Sequence, residues 1–132
     1  MIEIDVSCRL EEFQLDVEID VEATGITALF GQSGAGKTAL VDMLAGLSRP
    51  DRGRIAIDGE VLFDGARRIN VPPELRRIGY VFQEDRLFPH MSVRANLEYG
   101  FRRVPASTRR TNFDQVVDVL DVRALLARRP RT

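Results

Sequence analysis

The segment Gly31, Gln32, Ser33, Gly34, Ala35, Gly36, Lys37, Thr38 sets three glycines, a lysine and a hydroxyl side chain at the spacing of a loop that holds phosphate. Glycines let the main chain wrap around phosphate oxygens in conformations that a Cβ would obstruct. The exposed amides, together with the positive end of a helix that starts at the lysine, favour anionic oxygens. Lys37 would reach the β and γ phosphates as a point charge, and the Thr38 hydroxyl would bind magnesium. Lys37 is also the one lysine in the chain, beside eighteen arginines. A compact ammonium on a flexible stem suits this position where a planar guanidinium fork does not. The loop alone does not choose among small GTPases, nucleotide kinases and motor or transport ATPases.

The elements around the loop have the pattern that such a site requires. The continuous apolar run "ITALF", residues 26 to 30, predicts a fully buried strand that delivers the chain to Gly31. "KTALVDMLAGL" predicts a helix with Leu40, Val41, Leu44 and Leu47 on its apolar face, stopped by "SRPDRG". Upstream, residues 2 to 9 and 13 to 21 alternate apolar and polar side chains, as half-buried antiparallel strands do, and should pair through "EE". Asp58-Gly59 reads as a turn between two short strands. An arginine- and proline-rich loop leads to "IGYVFQ", a second buried-strand candidate, and from residue 85 onward two helical patterns follow. The second carries Phe113, Val116, Val117, Leu120, Leu125 and Leu126 as its apolar face. No internal repeat or low-complexity segment occurs.

The 132 residues suffice for one domain or a piece of a larger one. With 44% hydrophobic and 30% charged residues, and no apolar run near membrane-span length, the composition is that of a soluble globular chain. The N-terminus lacks the pattern of a secretory signal, which makes the cytosol the default. The single cysteine, Cys8, falls in a strand pattern and reads as a buried, inert thiol. A net charge of −1 gives no argument for nucleic acid, and the arginine pairs 67/68, 76/77, 102/103, 109/110 and 128/129 read as solvated surface.

Residues 78 to 100, "IGYVFQEDRLFPHMSVRANLEYG", resemble the Q-loop region of ATP-binding cassette ATPases, in particular the molybdate-importer subunit. The preceding "GRIAIDGEVLFDGARRINVPPELRR" is similar to the same subfamily. With "GITALFGQSGAGKT", the likeness runs from about Gly25 to Gly100 and more loosely to the end. It implies an α/β phosphate-loop NTPase fold with an N-terminal antiparallel β-subdomain and the start of a helical subdomain, incomplete. Residues 1–84 would form the partial nucleotide-binding core and 85–132 the beginning of the helical subdomain. ATP and magnesium would be the cofactors, with Gln83 ligating the metal or orienting water. An amide suits that task because it offers an acceptor and a donor without adding charge beside phosphates.

The likeness also implies partners. Phe88, Pro89, His90 and Met91 would contact transmembrane permease subunits, a second copy would pair head to tail, and the subunit would sit peripherally on the cytoplasmic face of the inner membrane. Nucleic acid is not among the partners. Glu84 and Asp85 are not expected to be bases, since the family's general base lies downstream, as does its catalytic histidine. Many members stack adenine on an aromatic residue ahead of the loop. Phe13 is the only aromatic before Phe30, but it reads as core of the second strand and is left out of the site. The signature motif, the magnesium-side aspartate, the catalytic glutamate and the switch histidine do not occur in this sequence, so little or no hydrolysis is expected of this chain alone. Competing readings are the ATPase of a sulfate, iron, polyamine or sugar importer, and a non-hydrolysing nucleotide-binding module that docks on a membrane partner.

Overall fold

The computed structural model describes residues 1–11, 13–84 and 86–130. Two compact units divide the chain, the first comprising Met1–Tyr80 and the second running from Val81 onward.

The first unit is built on a five-stranded antiparallel sheet of order β2-β1-β3-β4-β5, with β1 Ile2–Arg9, β2 Gln14–Val21, β3 Arg52–Ile57, β4 Glu60–Asp64 and β5 Ile69–Asn70. Its register follows from the period-two alternation. Ile4 faces Ile19 of β2 and Ile55 of β3, and Val6 faces Val17 and Gly53, so one face of three strands is apolar. The turn joining β3 to β4 has Asp58 and Gly59 both at positive φ, 49° and 81°, the two-residue geometry that matches strand twist. Glu12 of the expected "EE" connection lies outside the described residues.

Helix α1, Lys37–Ala45, covers the apolar face. Leu40 and Met43 join Ile4, Val6, Leu15, Ile55, Leu62 and Phe63 in one buried cluster. Burying a side chain of this size contributes about 1.5–3 kcal/mol, so these contacts, more than helix propensity, hold α1 in place. The predicted apolar face was partly wrong: Val41 and Leu47 are exposed, and Met43 and Ala45 are buried instead. Gly46, rather than "SRPDRG", ends the helix. It sits in the left-handed region at φ 81°, where its N–H and that of Leu47 turn back to the last-turn carbonyls of Met43 and Asp42.

Neither expected buried strand forms. Residues 26–30 and 78–82 carry no strand pairing, with Ile26, Phe30 and Val81 being 99%, 90% and 95% exposed. A continuous apolar strand needs hydrogen-bonded neighbours and cover on both faces. The sheet formed by the described residues ends at β2 and β5 and offers these segments neither.

The second unit holds α2 Val93–Phe101 and α3 Phe113–Val119, shorter than the two helical patterns suggested. Ser92 caps α2 by accepting from Ala95 N–H at 3.2 Å, and Asn112 caps α3 by accepting from Asp114 N–H at 2.9 Å. Of the apolar face expected around α3, Val117 and Leu126 are buried, whereas Val116, Leu120 and Leu125 are exposed. Val93 and Arg94 donate backbone bonds to Arg128 and Leu126, closing the later segment onto the start of α2.

Candidate functional site

The eight loop residues lie together at the N-terminus of α1 in the first unit. Gly34 and Gly36 are at φ 83° and 85°, a region in which side-chain-bearing residues are strained. A turn bond from Ala35 N–H to Gln32 O, 3.3 Å, closes the loop. Gly36 is the N-cap of α1 and supplies no side-chain bond, and the first intrahelical bond runs from Leu40 N–H to Gly36 O. The helix thus begins with no side-chain acceptor over its first amides, which suits an anion there.

Lys37 folds back over the loop, its ammonium donating to Gly31 O at 2.8 Å and to Gln32 O at 2.6 Å. A Cβ added at Gly31 would stand 3.6 Å from Ala35 Cβ and 3.8 Å from Lys37 Cδ. Both distances are ordinary van der Waals contacts, so the loop folds closely around Gly31, with the lysine ammonium over its carbonyls. Thr38, in the first turn of α1, is exposed. Among the described residues no group of three or more His, Cys, Asp or Glu side chains gathers to hold a metal.

Phe13 corrects an expectation. It precedes β2, is 36% exposed, and its Cζ lies 3.4 Å from where a Cβ on Gly36 would be. It shares the odd-numbered face with Leu15 and Val17, but it stands beyond the end of the paired register. The alternation that reads as core therefore carries its ring past the sheet to the edge of the phosphate loop.

Arg76 was read as solvated surface, yet it is only 5% exposed. Its Nη1 donates to Met43 O (2.7 Å) and Leu44 O (2.8 Å), its Nε to Val71 O (2.8 Å) and its Nη2 to Asn70 Oδ1 (3.0 Å). Burial pushes this guanidinium below its usual value, although arginine stays charged in proteins. A lone arginine pair gives no sequence signal of this. Nearby, Tyr80 donates its hydroxyl to Asp42 Oδ1 at 2.6 Å.

Gln83 and Glu84 belong to the second unit and are exposed; Asp85 lies outside the described residues. In the same unit the Asn96 side chain clamps the "LFPH" segment. It accepts from Phe88 N–H at 2.8 Å and donates to Phe88 O at 3.1 Å and Ser92 O at 3.0 Å. Phe88 is further held by Tyr99, ring centroids 4.7 Å apart, and it meets His90 edge-on at 6.1 Å. Among the described residues no helix is long and apolar enough to cross a membrane.

Residues 15–132 match the profile of the ABC transporter family. The chain is 53% identical over 130 residues to the molybdenum import ATP-binding protein ModC of Paramagnetospirillum magneticum, covering 98% of this chain and 36% of that protein. It is 55% identical over 130 residues to ModC of Rhodospirillum rubrum (98% and 35%) and 48% identical over 132 residues to ModC of Yersinia pestis (100% and 36%). It thus spans about a third of the length of these curated relatives. A family match over residues 15–132, with a glycine-rich loop at the head of α1 and an antiparallel sheet beneath that helix, places this chain in the ABC transporter family.

Proposed function

We propose that this chain is the nucleotide-gripping part of the energy-coupling ATPase subunit of a molybdate importer. The observation that carries this reading is identity of about half to three proteins named for molybdenum import, across essentially the whole chain. Residues 1–84 then act as the partial nucleotide-binding core and 85–132 as the start of the helical subdomain.

Gly31, Gln32, Ser33, Gly34, Ala35 and Gly36 wrap the phosphates through backbone amides. Lys37 would exchange its two carbonyl partners for phosphate oxygens, and the Thr38 hydroxyl would ligate magnesium. Phe13 offers its exposed ring to the base. Bound ATP would supply the γ-phosphoryl group whose transfer to water drives import, and its magnesium would neutralise charge on the phosphate oxygens. The segment from Phe88 to Met91, shaped by Asn96, meets the permease subunits at the cytoplasmic face of the membrane. Head-to-tail pairing with a second copy brings the phosphate loop against residues that this chain does not carry.

The test is saturable binding of a fluorescent ATP analogue with magnesium, together with an assay for released phosphate. Binding that is weakened at least about tenfold in Lys37→Ala, without comparable turnover, is the expected result. Failure of the unaltered chain to bind removes the nucleotide reading. For the transported anion, disrupting the gene should abolish uptake of labelled molybdate in the source cells; intact molybdate uptake with lost sulfate uptake would replace molybdate by sulfate.

A further inference from the structure

We infer that Arg76 is a positioning residue for the phosphate site, acting from the far end of the helix that carries Lys37 and Thr38. The inference rests on the nucleotide-binding reading above.

Each of the four recorded bonds of the Arg76 guanidinium goes to a neutral oxygen: two last-turn carbonyls of α1, the Val71 carbonyl, and the Asn70 amide oxygen. A cation at a helix C-terminus meets the negative end of the peptide dipoles, and each of its bonds is charge-assisted. The nine residues of α1 span about 13 Å, with the phosphate loop at one end and this guanidinium at the other. α1 buries Leu40, Met43 and Ala45, and no side-chain cap holds its N-terminus. The guanidinium clamp therefore supplies axial restraint that the apolar contacts, which are non-directional, do not.

Three neighbouring features agree with a position under close geometric control. Gly46 lies directly over the guanidinium, where an added Cβ would come within 2.6 Å of Nε. Arg77, next to Arg76 in sequence, is held at φ 56°, the left-handed region that costs a non-glycine residue roughly 1–2 kcal/mol. Ile78 then packs against the core, and Tyr80 bonds Asp42 on α1. The same helix that offers the phosphate grip is thus tied twice to the segment running from Asn70 to Tyr80.

Binding of a trinitrophenyl ATP analogue with magnesium, measured well below the melting temperature of every protein compared, tests this. Arg76→Met keeps the bulk and removes the donors, Arg76→Lys keeps the charge without the fork, and Leu62→Ala is a buried β4 control for lost stability. We expect affinity to fall about tenfold in Arg76→Met and about threefold in Arg76→Lys, with Leu62→Ala within about twofold of the unaltered chain. Amide exchange at Leu40 should quicken more in both Arg76 variants than in the control. If Arg76→Met does not fold, Arg76→Lys and Asn70→Ala carry the test, each expected to lose about threefold. Unchanged affinity in the folded Arg76 variants, or an equal loss in Leu62→Ala, overturns the inference while nucleotide binding stands. An unaltered chain that binds no analogue overturns the nucleotide reading itself.

Discussion

In the proposed nucleotide site, Phe13 and Lys37 would divide the labour between two kinds of interaction. The lysine ammonium answers to charge and already bridges two loop carbonyls. The phenyl ring, beside Gly36 and exposed, can act only on a planar apolar face. Stacking of a base on such a ring is worth about 1–3 kcal/mol. Phe13→Ala should therefore weaken binding of the ATP analogue about tenfold and leave competition by inorganic tripolyphosphate unchanged. A parallel loss for tripolyphosphate would show that the ring supports the loop rather than the base. The loop ahead of α1 was legible because its glycine spacing is itself the geometry, with Gly34 and Gly36 at positive φ. Phe13 was not, because odd-even alternation says which face a side chain takes but not where the strand stops pairing. Arg76 was not, because burying a guanidinium depends on carbonyls of α1 more than thirty residues away in sequence.

At the scale of elements, β1 and β2 were readable from alternation, starting and ending within a residue of expectation, and β3 and β4 from the Asp58-Gly59 turn, whereas β5 lies in a segment that reads as a loop. What alternation does not show is how closely the strands approach. Gly53 opposes Val6 in the register, at φ 108°, and a Cβ there would stand 2.0 Å from Asp5 O and 2.8 Å from Val6 Cα. That atom is backbone and cannot swing aside, so β1 and β3 would have to separate. Gly53→Ala should destabilise the first unit by about 3 kcal/mol in a urea titration, the upper end of overpacking costs plus a positive-φ penalty. Gly59→Ala meets no atom within 4 Å, although its φ of 81° also favours glycine, and it should cost only about 1 kcal/mol. Equal losses at the two sites would mean that backbone conformation, not strand approach, sets the requirement at Gly53.

For the molecule as a whole, the two continuous apolar runs raise a sharper question than the alternating ones. Their composition predicts burial on both faces, and their partners in the described residues do not provide it. Hydrophobic content can say that a segment seeks cover, but not which strand covers it. The exposure of Ile26, Phe30 and Val81 makes this measurable, because removing an exposed side chain shifts stability by no more than about 0.5 kcal/mol, whereas emptying a core site costs about 2–5 kcal/mol. Ile26→Ser with Phe30→Ser should leave the urea midpoint unchanged and clearly reduce binding of a dye that fluoresces on exposed apolar surface. A fall in the midpoint to match that of Leu62→Ala, with no drop in dye binding, would place residues 26–30 in a buried strand in solution. The same pair of measurements on Val81→Ser would then decide whether the segment leading to Gln83 behaves alike, since its apolar residues have the same need for a neighbouring strand.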